Sequence, residues 1–329
     1  ANYVLPAQNH QLTPTDREGI KEDYDNVWAH ARGHSFGMPF NPAGRLAVET
    51  EEKERESIFE KYWERGGFRF IFETFDDLLT DPTANEMAAD FIRKKIRETV
   101  KNPETAEALC PKGYPFGGKR PPNGTDYYET YNRTNVELVD LKATSIEEIT
   151  QSGVRTSDQD YQFDTIIFAT GFDAVTGAFT AIDIEGRDGR TLKEHWTKGP
   201  RTLFGLGAHG FPNLFMVFGP QTPFANNPLV IEQSAKTIAT MIEYMRRNDV
   251  ECAEVTAEGE SFWCDEVEAR ANETIVPLGA NANSWIYGAN IPGKAQAVSF
   301  YFGGLNTYED FCNKEASEGF PHIDMVRGD

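Results

Sequence analysis

Apolar residues recur along this chain with two different periods, and the change of period divides it. Between about residues 13 and 109 the spacing is helical. Thr15-Asp16 can cap a helix running through Trp28, and residues 49–63 form a charged amphipathic run. Gly66-Gly67 stops that run, and the aromatic strip Phe68-Arg69-Phe70-Ile71-Phe72 follows as core or as an apolar pocket wall. Residues 85–101 predict another helix with Phe91, Ile92 and Ile96 on its apolar face, and Pro103 opens a short one to Leu109.

Beyond residue 120 the period falls toward two. Residues 135–141 alternate as a strand, and residues 146–150 and 161–163 predict short strands around a turn at Ser152-Gly153. Residues 164–172 are a continuous apolar run ending in Thr170-Gly171, the pattern of a strand buried on both faces of a parallel sheet. Residues 213–218 repeat the pattern, end in Gly219-Pro220, and lead to a helix over 228–247 with proline in its first turn. A helix over 258–271 follows, then a small-residue loop around Trp285, a strand over 298–304 and a C-terminal helix.

Composition narrows the class. The chain has 329 residues, room for about two domains, and 39% hydrophobic content excludes disorder. A mean hydropathy of −0.53 argues against a membrane protein. A formal net charge of −20 argues against nucleic acid and anionic membranes as partners. Any anionic ligand then needs a local basic site. Cys110, Cys252, Cys264 and Cys312 show no metal spacing and read as free thiols of a reducing compartment, so a cytoplasmic protein without metal is expected. No signal peptide opens the chain, and Ala1 followed by strand-like Tyr3-Val4-Leu5 looks like a start inside a domain.

The local basic site is the loop 111–122, where Lys119 and Arg120 stand between Gly117-Gly118 and Pro121-Pro122. Glycine lets a ligand approach the backbone, and the prolines stiffen the far side. Residues 113–119 fit the G-x-x-x-x-G-K phosphate loop, but Arg120 stands where Ser or Thr must hold magnesium, and Pro-Pro forbids the helix. Residues 205–210 fit G-x-G-x-x-G but run into Phe211-Pro212-Asn213 rather than a helix. Neither is a nucleotide fingerprint.

Phe168-Ala169-Thr170-Gly171-Phe172-Asp173 resembles the second motif of two-dinucleotide flavoprotein monooxygenases. Together with Gly117-Gly118-Lys119-Arg120, Asp126-Tyr127-Tyr128-Glu129, Tyr131-Asn132-Arg133, His195-Trp196 and residues 284–294 it resembles the type I Baeyer–Villiger monooxygenases. The resemblance covers the carboxyl-terminal three-fifths of that family, whose two G-x-G-x-x-G turns and F-x-G-x-x-x-H signature do not occur here. It implies an α/β fold of Rossmann-like FAD and NADP domains with a helical insert. Residues 1–105 would be the start of the NADP domain plus the insert, 106–165 its return half, and 166–329 the carboxyl-terminal half of the FAD domain with a mobile Trp loop at 281–295.

The resemblance also implies roles. Lys119 would meet the NADP 2′-phosphate, and Arg120 would stabilise the anionic peroxyflavin and the ketone adduct above the flavin. Trp285 would reach NADP and substrate, its alternative being an ordinary core tryptophan. Thr170, Gly171, Gly219, Pro220 and Asn227 would lie against FAD. Phe224 and Phe300 would line the ketone pocket, with core packing as their alternative. The implied partners are FAD, NADPH, O2, a small ketone, and the family's amino-terminal region. The alternatives are an N- or S-oxygenating flavin monooxygenase, or a catalytically silent fragment that needs a partner chain.

Overall fold

The computed structural model describes residues 1–328, apart from the side chain of Asn281. Helical spacing is realised throughout the first third. Thr13, rather than Thr15, caps α1 (Pro14–Glu22): its hydroxyl accepts the Asp16 N–H while the Asp16 carboxylate accepts the Thr13 N–H. The chain breaks at Asp23 before α2 (Tyr24–Gly33). Then come α3 (Glu52–Arg65), the single turn α4 (Arg69–Phe72), α5 (Pro82–Thr99) and α6 (Pro103–Leu109). Asp81 sets the start of α5 by accepting the N–H groups of Thr83 and Ala84.

These helices close over β1 (Leu5–Pro6), which pairs in parallel with β2 (Asn123–Gly124), and a short α7 (Tyr127–Thr130). The first core lies among them: Tyr3, Leu5, Phe59, Phe70, Phe75, Phe91, Ile92 and Phe116 are all at most 6% exposed. Asn85 is a polar residue buried among them, 1% exposed. The Asn85 amide donates to the carbonyls of Leu78 and Phe116 and accepts the Phe116 N–H, which pins the basic loop to α5.

A meander of β3 (Ile146–Thr150), β4 (Gly153–Thr156) and β5 (Asp160–Gln162) follows. Gly153 is required there, because a Cβ would lie 1.9 Å from the Tyr161 carbonyl oxygen. After α8 (Gly177–Thr180) and α9 (Leu192–His195) the second core forms. It joins α10 (Asn227–Arg247), β6 (Val250–Val255), α11 (Ala257–Asn272), α12 (Leu305–Ser317) and β7 (Ile323–Arg327), which pairs antiparallel with β6. Phe204, Trp263, Tyr301 and Tyr308 fill its centre, and Ala31 of α2 packs against it. At its rim the buried Glu260 carboxylate accepts from His195 Nε2 (2.7 Å), Arg201 Nε (2.9 Å) and the His209 N–H (3.1 Å).

The expected long strands are the main correction. Residues 164–172 pair with nothing among the described residues, and Ile167, Phe168 and Phe172 are 85%, 69% and 87% exposed. A strand buried on both faces needs neighbours on both edges, and no described strand lies beside this run. Residues 213–218 are not a strand either: Asn213 and Phe218 both adopt left-handed φ (57° and 60°), which breaks the pleat at each end. Residues 135–141 follow turns and make no ladder. Residues 298–304 exchange hydrogen bonds with 222–224 only around one parallel bridge, Pro223 to Tyr301. Among the described residues no helix is long and apolar enough to cross a membrane, no acidic, histidine and cysteine cluster could hold a metal, and all four cysteines are free.

Two stability predictions follow from the buried polar groups. Asn85→Ala strands three buried backbone groups at about 1–3 kcal/mol each, so urea unfolding should show a loss of at least about 3 kcal/mol; a loss under about 1 kcal/mol would remove the clamp role. Burial pushes the Glu260 carboxyl up, but hydrogen bonds from His195, His209 and Arg201 outweigh it, so the group titrates below the ordinary glutamate value of 4.5. A depressed folded pKa gives stability that is full above pH 4.5 and lost as pH falls through the folded value. Glu260→Gln should therefore cost about 3 kcal/mol at pH 7, at the low end for a buried pair because Arg201 is 41% exposed. The gap to wild type should shrink toward pH 3; an equal gap at both pH values would rule the linkage out.

Candidate functional site

The two cores face each other across a cavity of 1160 Å³. One wall comes from the turn of α4. It buries Phe70 in the first core and leaves Phe68 and Phe72, four residues apart, on the cavity side. The aromatic strip is thus both core and pocket wall. The opposite wall is a second aromatic cluster, in which Phe224 lies 5.1 Å from Phe300, 5.6 Å from Phe302 and 6.1 Å from Trp285. Phe36 bridges the walls, 4.5 Å from Phe72 and 6.5 Å from Phe224.

Arg120 lines this cavity with its guanidinium over the Phe68 ring (5.6 Å) and has no carboxylate partner among the described residues. Lys119 does not line it. Its ammonium lies over the Tyr114 ring (5.0 Å), and burial, then nearby Lys142, holds it below the usual lysine value. The basic loop approaches the second half of the chain without side chains between them. A Cβ on Gly279 would lie 2.8 Å from Gly118 Cα, and a Cβ on Gly117, whose φ is +88°, would meet Leu79 at 2.9 Å.

Trp285 stands half-buried on a short turn, edge-on to Phe300 at 5.6 Å. Its loop is latched to the segment after Gly171: Lys294 pairs with Asp173 and donates to the Ala174 carbonyl (3.1 Å), and Asn290 donates to the Phe172 carbonyl (3.0 Å). Ser284 Oγ and Tyr287 Oη of the same loop are buried without a protein partner, and burial pushes the Tyr287 phenol up to about 12. Gly219 also lines the cavity, as does Asn227 at the N-terminus of α10, where no side chain caps the helix. Gly219 is needed for packing, since a Cβ would lie 2.3 Å from the Gly205 carbonyl oxygen. The glycines at 205–210 thus serve backbone approach and open no helix. Pro220 is buried beside the cavity rather than in its wall, its carbonyl accepting from the Thr202 hydroxyl. Thr170 and Gly171 are exposed and lie outside it.

Of the residues expected from the sequence, the cavity gathers Arg120, Trp285, Gly219, Asn227, Phe224 and Phe300. It adds Phe72, from the aromatic strip expected as core or pocket wall, and His34, Phe36 and Val175, which the sequence reading missed. Val175 is a β-branched residue held at φ +66°, a strained conformation of the kind that gathers at functional sites. A second signal was present for the 34–40 stretch: His34, Phe36, Met38 and Phe40 put large side chains on alternate positions of a Gly- and Pro-containing segment outside any helix.

No family model matches this chain. Curated relatives match it from end to end. It is 41% identical over 334 residues to cyclohexanone 1,2-monooxygenase of an Acinetobacter species, covering 100% of this chain and 60% of the relative. It is 42% identical over 328 residues to a Baeyer–Villiger monooxygenase of Pseudooceanicola batsensis, with coverage of 98% and 59%. Phenazine N-monooxygenase of Lysobacter antibioticus matches at 41% over 325 residues, covering 97% and 59%. Among solved structures, the closed form of cyclohexanone monooxygenase superimposes with a TM-score of 0.95 at 41% identity, over 99% of this chain and 61% of that one. The complex of OTEMO with FAD and NADP does so with a TM-score of 0.94 at 35% identity, covering 99% and 60%. The fold is therefore that of the two-dinucleotide-binding flavoproteins. The chain belongs to the type I Baeyer–Villiger monooxygenases and spans about three-fifths of the length of the relatives it matches.

Proposed function

We propose that this chain works in an FAD- and NADPH-dependent Baeyer–Villiger monooxygenase that turns a ketone into an ester or lactone. Ketone, O2, NADPH and a proton would give ester, water and NADP+. The observation that carries the reading is Arg120, an unpaired guanidinium in the wall of an otherwise largely aromatic cavity, within a chain of net charge −20. Arginine keeps its proton at neutral pH, so it offers fixed positive charge without acting as an acid. Apolar surroundings strengthen its hold on any oxygen anion that forms there. The aromatic walls bind the hydrocarbon part of a ketone and exclude water.

The residues present fit the ring end of a flavin. The cavity has the volume for it, and the first turn of α10 presents an uncapped N-terminus. FAD, when bound, supplies oxygen activation, and NADPH supplies the electrons. No Gly-rich turn suited to either pyrophosphate occurs in the sequence, so that role falls to the amino-terminal region of the family, proposed here as the partner of this chain in the cytoplasm. Lys119, unpaired and half-buried beside Arg120, is proposed as the contact to the NADP 2′-phosphate. Thr170, Gly171 and Pro220 are proposed to meet FAD where that region packs. A second reading, N-oxygenation, is favoured by the match to a phenazine N-monooxygenase; product analysis with paired ketone and aromatic-amine substrates distinguishes the two.

In the flavin-loaded enzyme, Arg120→Ala should keep NADPH oxidation at a reduced rate but lower ester formation about 10²–10³-fold, the effect of losing one preorganised charge donor. Arg120→Lys should restore little, because a flexible point charge does not reproduce the planar fork. Stopped-flow flavin absorbance read beside ester yield checks this; ester formed in step with NADPH consumed by Arg120→Ala would refute the assignment. Lys119→Ala should raise the NADPH KM about 10- to 100-fold and leave NADH nearly unaffected, since a hydrogen bond to a charged group contributes about 1.5–3 kcal/mol. Equal losses with both cofactors would move Lys119 out of that role.

A further inference from the structure

His34 enters the cavity wall from the loop after α2, and that loop is held firmly. The Ser35 carbonyl accepts the Leu305 N–H (2.7 Å), the Phe36 carbonyl accepts the Asn226 N–H (3.0 Å), and the Gly37 carbonyl accepts from Asn226 Nδ2 (3.0 Å). The N-termini of α10 and α12 thus grip residues 35–37. Gly37 leaves no room for slack: a Cβ there would lie 3.1 Å from both Asn226 and Leu305. The imidazole stands edge-on to Phe72 (5.4 Å) and Phe40 (6.1 Å), so its plane is set by aromatic contacts on two sides.

The tautomer is set as well. Phe36 donates its N–H to His34 Nδ1 (3.2 Å), which requires a lone pair there and places the proton of the neutral ring on Nε2. Burial, then neighbouring His30, lowers the pKa against the opposing pull of Glu73, so the ring is neutral at neutral pH. Nε2–H makes no hydrogen bond to the described residues. His34 is a lining residue of the cavity, and the neighbouring wall residues Phe36, Phe72 and Phe224 have no side-chain group to accept this donor. Phe72 lies about one helical turn, roughly 5.4 Å, from Phe68, on which the Arg120 guanidinium rests. Arg120 and His34 thus line one cavity, so a ligand held there at its carbonyl by Arg120 can present a second polar group to His34.

We infer that His34 is a specificity-determining residue that donates a hydrogen bond from Nε2 to an acceptor on the ketone remote from its carbonyl. The enzyme would then prefer keto-ethers or diketones over plain cycloalkanones of the same shape. This rests on the reading of the cavity as a ketone pocket. It differs from that reading in naming the group recognised and the residue that recognises it.

The test uses two ketones of nearly equal shape, tetrahydropyran-4-one and cyclohexanone, the first carrying an ether oxygen opposite its carbonyl. Binding to the chain itself is read by tryptophan fluorescence, for which Trp285 lies in the pocket wall. The measured quantity is the ratio of the two Kd values, which cancels general effects of a substitution on pocket shape. A neutral hydrogen bond contributes about 0.5–1.5 kcal/mol, so His34→Phe should reduce the preference for the ether about 2- to 10-fold. His34→Gln, which retains an N–H donor, should keep most of it. The inference is overturned if the ratio in His34→Phe equals that of wild type, if His34→Gln loses it as fully as His34→Phe, or if wild type binds neither ketone. A flavin-loaded enzyme that showed the same His34-dependent preference in binding yet released no ester or lactone would instead overturn the proposed reaction and leave the recognition role standing.

Discussion

Two glycines facing each other hold this site together. Gly118 in the basic loop and Gly279 ahead of the Trp285 loop approach so closely that a Cβ on either would meet the other backbone, at 3.2 and 2.8 Å. Through that contact, and the hydrogen bond from the Ile275 N–H to the Leu79 carbonyl (2.9 Å), two separately packed cores are fixed face to face. The cavity is the space their aromatic walls leave. Asn85 carries the constraint inward by clamping Phe116, just ahead of Gly117, to α5. The position of Arg120 therefore depends on a buried amide and a pair of hydrogens that it never touches.

Electrostatics follows from the same arrangement. A chain of net charge −20 keeps nearly all of its carboxylates away from this space. Asp76 is the acidic side chain in the wall among the described residues, and its oxygens are already used by the N–H groups of Ala43 and Gly44. Arg120 thus acts on the cavity without a counter-ion in contact. Arg120 is exposed, so water partly screens its charge until a ligand covers the site. Specificity is arranged by the same logic on the other side, where His34 is neutral, single-tautomer and fixed.

Helices were legible from sequence because helical periodicity and capping are local: Pro103 and Asn226-Asn227-Pro228 announce α6 and α10 within a few residues, while the expected start of α5 at residue 85 fell three residues inside its true start at Pro82. The basic loop was legible for a similar reason, since Gly-Gly, two cations and Pro-Pro restrict their own backbone. Strands were not. The apolar run at 164–172 carries the local pattern of a buried strand, yet it lies beside no described strand and leaves Ile167 and Phe172 exposed, because pairing depends on distant residues that the run itself does not specify. At 213–218 two left-handed residues overrule an apolar pattern that is otherwise strand-like.

What the sequence determined by itself is the motif set, and with it the family and the residues that carry charge, because those depend on residue type and order along the chain. Which of these residues share one cavity was decided only by tertiary structure. Arg120 and its neighbour Lys119 are adjacent in sequence, yet one lines the cavity over Phe68 and the other lies over Tyr114, because the bend at 116–119 sends the two side chains to different partners. His34 and Phe36 are far in sequence from every motif and became wall residues because Asn226 and Leu305 grip the loop between them. Long-range hydrogen bonds and close backbone packing leave no local trace in composition or period, so the shape of the pocket, unlike its charge, had to be read from the fold.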